Sequence, residues 1–133
     1  MLLKFTTNNI EFYVKTRESE TSKIIIKNLP IKSKINTWGD EIYFDTRLKT
    51  VKLEADSKDV FELGEIAFWV DGSAIAIGFG RTPASKGNEI RLVSKCNYWA
   101  DAVNPSDLLK LKQSSDNDEI TIDNFSKLLF LLI

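Results

Sequence analysis

The sequence predicts a mainly β fold: an antiparallel sheet closed into a barrel, with two short helices at its ends. Three observations carry this. Short runs rich in β-branched and aromatic residues recur along the chain, each bounded by polar turn residues. Only two stretches, one before Pro30 and one after Asn104, carry helical signals. Strands and helices do not alternate regularly, which argues against a parallel α/β sheet.

Leu2 to Thr6 and Ile10 to Val14 read as a first hairpin around Thr7-Asn8-Asn9. The pattern then changes. From Glu18 to Leu29 a polar start leads into Ile24, Ile25, Ile26 and Leu29, where Ile25 and Leu29 are four apart on one helical face. Three β-branched residues favour a strand by propensity, but the spacing to the helix-stopping Pro30 favours a helix. Ser33 to Trp38 and Glu41 to Phe44 read as a strand bent or interrupted at Gly39. Period two puts Ile42 and Phe44 in the core and turns Glu41 and Tyr43 to the opposite face, toward solvent or a ligand.

Thr50 to Leu53 reads as a short strand, Ala55 to Asp59 as a polar loop, and Val60 to Leu63 as the approach to a central hairpin. That hairpin pairs Ile66–Trp69 with Ala74–Phe79, and Gly72 in the intervening turn tolerates positive φ. Arg81 to Gly87, with Pro83, has the composition of a surface connection. Glu89 to Val93 and Asn97 to Val103 are two further strand candidates. Asn104-Pro105-Ser106-Asp107 places an N-cap residue, a first-turn Pro and an acid in order, so a helix from Pro105 to about Lys112 is predicted, burying Leu108, Leu109 and Leu111. Glu119 to Asp123 closes the sheet.

With 133 residues the chain is expected to form a single domain, large enough to bury roughly 65–70% of the surface it exposes when unfolded. Its 18 basic and 19 acidic residues give no basic excess for nucleic acid or an anionic membrane, so neither is an expected partner. Cys96 is the one cysteine, and no secretory leader or membrane-length apolar run is visible, so a cytoplasmic protein is expected. No metal site is predicted: histidine is absent, and Asp116-Asn117-Asp118-Glu119 lacks the glycine and length of a calcium loop. No cofactor is predicted either. Gly78-Phe79-Gly80 lacks the strand-to-helix context of a dinucleotide fingerprint, and no phosphate-cradling Gly-rich loop precedes a lysine.

Three stretches, Asn36 to Phe44, Gly64 to Trp69, and Gly78 to Pro83 with Ser85, resemble in order and spacing a small bacterial and archaeal family of cyclophilin-like proteins. The resemblance runs from about the first strand to Thr121. It implies an eight-stranded cyclophilin-type β-barrel with helices at its open ends, and the family name suggests prolyl isomerisation. Cyclophilin isomerases use a strand arginine, a nearby glutamine and a groove that includes histidine. Here Glu41-Ile42-Tyr43-Phe44 offers no arginine, Arg47 lies beyond the strand, and the one glutamine, Gln113, sits near a helix end. Without that donor at the prolyl nitrogen, the main chemical device for lowering the amide barrier of roughly 20 kcal/mol is missing.

The expected function is therefore a binding module for a small molecule or short peptide, with Trp38, Glu41, Tyr43, Trp69, Phe79, Arg81, Thr82 and Ser85 as candidate ligand-binding residues. The alternatives are a divergent peptidyl-prolyl isomerase, or another enzyme using Glu41 and Tyr43 as acid and base. No catalytic residue is assigned, because Ser94-Lys95-Cys96 has no base at diagnostic spacing. Phe68, Trp69 and Phe79 also suit a barrel core. The apolar extension 125–133 must be covered, either on its own barrel or in a two-fold homodimer through Leu128, Phe130 and Leu132.

Overall fold

Residues 1–126 are described by the computed structural model. In chain order they form β1 (Leu2–Thr7), β2 (Ile10–Thr16), α1 (Glu20–Lys27), β3 (Ile31–Lys34), β4 (Asn36–Thr37), β5 (Glu41–Asp45) and β6 (Lys58–Phe61). After these come β7 (Glu65–Trp69), β8 (Ala74–Gly78), β9 (Ile90–Ala102), a 3₁₀ helix (Pro105–Gln113) and β10 (Glu119–Asn124).

Nine strands make a nearly closed antiparallel barrel in the order β3-β10-β1-β2-β9-β7-β8-β5-β4. The expected count was eight. The extra strand arises at Ile35, where one extended segment splits: β3 pairs with β10 while β4 pairs with β5. Buried Ile35 is the hinge between the two pairings, and this short segment bridges the two margins of the sheet.

Period two fills the interior. Leu3 and Phe5 of β1, Phe12 and Val14 of β2, Ile42 and Phe44 of β5, Ile66 and Phe68 of β7, Ile75 and Ile77 of β8 and Ile122 of β10 are fully buried in one core. Phe5 stands across from Phe12 with rings stacked 4.9 Å apart. Each such side chain contributes about 1.5–3 kcal/mol by leaving water. Trp99 of β9 joins them, donating its indole N–H to the Ala67 carbonyl at 3.1 Å, so its polar edge costs nothing in the core.

Both helices feed the same core. Ser19 caps α1 by accepting from the Ser22 N–H, and α1 presents Ile25, with Leu29 partly buried beyond its end. The second helix starts at Pro105 as the sequence predicts, but it is 3₁₀ and Asn104 makes no capping bond. Three residues per turn align Leu108 with Leu111 and leave Leu109, expected in the core, half exposed.

Of the two expectations at Gly39, a bend or an interruption, the structure shows the interruption: Gly39 turns a hairpin between β4 and β5 with φ 61°, and Trp38 N–H bonds back to the Glu41 carbonyl at 2.9 Å. Other expectations are corrected. Thr50 to Leu53 is not a strand, because Asn97, rather than a neighbouring strand, meets this segment's backbone at Lys52 and Glu54. The two strands expected around Cys96 are one strand, β9. Of the C-terminal extension, Phe125 packs its ring 4.8 Å from Tyr13, and Leu2 N–H donates to Ser126. Leu128, Phe130 and Leu132 lie outside the described residues. Among the described residues no helix is long and apolar enough to cross a membrane.

Candidate functional site

Strand β9 serves two structures. From Asn97 onward it is a barrel strand paired with β7 and, at its end, with β2. Before that, from Ile90 to Cys96, it pairs with β6 instead and forms an arm over the outer face of the barrel. The pairing is irregular: Lys58 faces Cys96 and Val60 faces Arg91, so Asp59 alone stands opposite Leu92, Val93, Ser94 and Lys95. This bulge brings Leu92 and Val93 to a cleft between arm and barrel.

The barrel's outer face is built to leave room there. Along β8, Ala74, Ala76 and Gly78 point outward while Ile75 and Ile77 fill the core. Opposite them stand Tyr43 and Glu41, each facing its partner across the β5–β8 ladder. On the other flank β7 contributes Trp69, whose ring packs over Gly72 so closely that a Cβ there would lie 2.3 Å from Cε3. Trp69 meets Tyr43 edge to face, centroids 6.1 Å apart and planes at 90°.

The result is a cleft of about 180 Å³ lined by Trp38, Glu41, Tyr43, Trp69, Ala76, Leu92, Val93 and Cys96. Four of the eight candidates read from the sequence, Trp38, Glu41, Tyr43 and Trp69, are brought together in it. The expectation that Glu41 faces solvent or a ligand resolves toward the cleft: Glu41 is only 5% exposed. Its Oε1 is buried and makes no hydrogen bond. Burial pushes its carboxyl up to about 8, so at neutral pH it is mostly protonated. At the same cleft, burial and then the negative charges of Glu41, Asp71 and Asp59 push the Cys96 thiol up to about 12.

The other four candidates do not line this cleft; they hold its rim. Phe79 is buried in the barrel core, and its N–H donates to the Asp40 carbonyl at 2.8 Å. The Arg81 carbonyl accepts from Asp40 N–H at 2.8 Å, while its exposed guanidinium bonds to the Gly87 carbonyl. Thr82 hydroxyl donates to the Arg91 carbonyl at the base of the arm, and Thr82 N–H donates to Ser85 Oγ at 2.9 Å. These bonds tie the Gly39–Asp40 turn, the 79–85 loop and the start of β9 together. Ala76, Leu92, Val93 and Cys96 were not foreseen. The alternation of small and large apolar residues in Ala74-Ile75-Ala76-Ile77-Gly78 was the available signal, since a strand apolar on both faces has both faces covered.

Neither Arg47, Arg81 nor Gln113 lines the cleft. Arg47 opens instead on a wider depression of about 810 Å³ at the β3–β5–β10 seam, where Lys32 and Lys34 mix with Asp45 and Glu119. Among the described residues no group of three or more His, Cys, Asp or Glu side chains could hold a metal ion.

A barrel of this architecture, with a covered aromatic cleft on its outer face, defines a class, and comparison with known proteins identifies it. The chain belongs to the Cyclophilin-like family, whose model matches residues 1–123. It is similar to the hypothetical protein AF2241 from Archaeoglobus fulgidus, known from its solution structure: 37% identity, TM-score 0.76, covering 92% of this chain and 93% of that one. No match was found among the curated proteins.

Proposed function

We propose that this protein is a binding module whose ligand, a small molecule or one side chain of a short peptide, occupies the cleft at Glu41. One observation carries the reading: a carboxyl group with an unbonded, buried oxygen sits in an otherwise apolar and aromatic cleft. A buried polar atom without a partner costs about 1–3 kcal/mol, which an occupant supplying that partner recovers. At about 180 Å³ the space is smaller than the roughly 300–1,000 Å³ of drug-sized sites, which favours a compact ligand or a single anchoring side chain. Cyclophilin-type isomerisation is not part of this reading, because no arginine lines the cleft.

The test is a fragment and peptide titration followed on the indole N–H signals of the three tryptophans. Saturable shifts at Trp38 and Trp69 are expected, with Trp99, bonded to Ala67 inside the barrel, unmoved. Shifts in none of them, or acceleration of prolyl isomerisation that Arg47→Ala or Arg81→Ala abolishes, would overturn the reading.

A further inference from the structure

Resting on that binding reading, we infer that the ligand is an organic cation with an N–H donor, an alkyl- or arylammonium group, seated with its charge against Glu41 and its carbon skeleton among Trp38, Tyr43 and Trp69. The composition of the wall is one-sided. A single carboxyl, three aromatic rings and four apolar or sulfur-bearing side chains line the cleft, and no lysine or arginine does. Aromatic faces carry partial negative charge and attract cations, most strongly where water is excluded. Tyr43 and Trp69 meet edge to face, perpendicular to one another, and both line the cleft.

The charges acting on the Cys96 wall of the cleft are acidic. Glu41, Asp71 and Asp59 all act on the Cys96 thiol to disfavour a second negative charge. Beside Glu41 are Asp40 in the turn before it, Tyr43 on its own strand, and Trp69 and Cys96 across the cleft wall; β8 contributes only Ala76 and Gly78, and Asp59 on β6 is ion-paired with Arg91 of the arm at 2.8 Å. No lysine or arginine lines the cleft to pair with an anion, and an ionised Glu41 would repel it. A neutral acceptor would use the protonated carboxyl, leaving the aromatic rings without an electrostatic role. A cation uses both the carboxyl and the rings.

Proton balance follows from the exchange. The arriving ammonium retains its own proton, donates an N–H to Oε1, and the Glu41 carboxyl releases its proton to solvent, so the ion pair forms with net release of H⁺. Because the free carboxyl titrates near 8, close to one proton leaves per cation bound at pH 7. Affinity then rises by up to about tenfold per pH unit toward pH 8 and levels off above it, while the amine itself stays charged.

Benzylammonium, benzyl alcohol, benzamide and benzoate are the probes, titrated by calorimetry in two buffers of different ionisation heat and by the Trp38 and Trp69 indole signals. The expected result is benzylammonium binding about tenfold or more tighter than benzyl alcohol, with proton release in the unsubstituted protein. Glu41→Gln should erase that preference while retaining benzyl alcohol; the proton count stands independently if this variant folds poorly. Benzamide binding at least as tightly as benzylammonium, with affinity falling above pH 8, would overturn the cation and leave the binding module standing. If none of the four probes moves Trp38 or Trp69, both readings fall.

Discussion

Glu41 on β5 stands directly across the ladder from Gly78 on β8, and the place a Gly78 side chain would occupy is taken by Ile90, whose Cγ2 lies 2.4 Å from an ideal Cβ. The missing side chain lets the first residue of the arm settle onto the barrel beside the carboxyl. That close approach seats the arm on the strand that pairs with Glu41, a residue only 5% exposed.

The same contact predicts the cost of a single methyl group. In Gly78→Ala, a branched Ile90 side chain cannot swing clear as a lysine end would, so the arm must lift. Denaturant midpoints should show a loss of about 1–3 kcal/mol, the usual penalty of overpacking, and Glu41 should regain solvent. A midpoint unchanged from the natural protein would mean that the arm is not seated on Gly78.

Glu41 sets a pH dependence opposite to that of an ordinary paired carboxylate. Its folded value, about 8, lies above the ordinary carboxyl value of 4.5. Between these the folded state holds a proton that the unfolded chain has lost, so stability is fully present below about pH 4.5 and drains as pH rises through 8. At about 1.4 kcal/mol per pH unit of difference, the total is on the order of several kcal/mol. Glu41→Gln should abolish the slope and be the more stable protein at pH 8. Carboxyl carbon resonances offer the direct check, and a Glu41 midpoint near 4.5 would contradict the burial argument.

Cys96 is fully buried, and its thiol is raised to about 12, so it is a wall residue and not a nucleophile. At pH 8 its thiolate is scarcer than that of a free cysteine by on the order of a thousandfold. A thiol reagent should label the folded protein slower by at least that factor and the denatured chain stoichiometrically. Rapid labelling of the folded protein would show that the arm opens freely.

What the sequence disclosed, and what it hid, divides along this arm. The period-two pattern placed Ile42 and Phe44, because a barrel interior selects apolar residues at alternate positions regardless of distant partners. Trp38, Glu41, Tyr43 and Trp69 were legible as a group, since aromatics flanking one acid stand out locally. Whether Glu41 met solvent or a ligand was not legible. Its cover comes from Ile90 and Leu92, roughly fifty residues further along, and the change of partner at Cys96–Asn97 leaves no local mark. Thr50 to Leu53 misled for the reverse reason: it has a strand's composition, but a side chain supplies its backbone bonds.

That side chain is Asn97, and it predicts the largest loss from a polar substitution. Fully buried, it accepts the Glu54 N–H at 2.8 Å and donates to the Lys52 carbonyl at 2.8 Å and to Thr21 Oγ1 at 2.9 Å. Thr21 in turn donates to the Glu54 carboxylate, so helix α1, the segment before β6 and the bend of β9 meet at one amide. Asn97→Ala leaves the part-buried Lys52 carbonyl and Glu54 N–H without their side-chain partner. An unmade buried bond costs about 1–3 kcal/mol, so the variant should lose about 2–4 kcal/mol in all. Hydrogen exchange resolves the mechanism: the Glu54 amide should exchange far faster in Asn97→Ala, while amides of the β1–β2 hairpin, remote from this network, slow or quicken only with global stability. A Glu54 amide equally protected in both proteins would show that the segment is held by packing and that Asn97 is incidental.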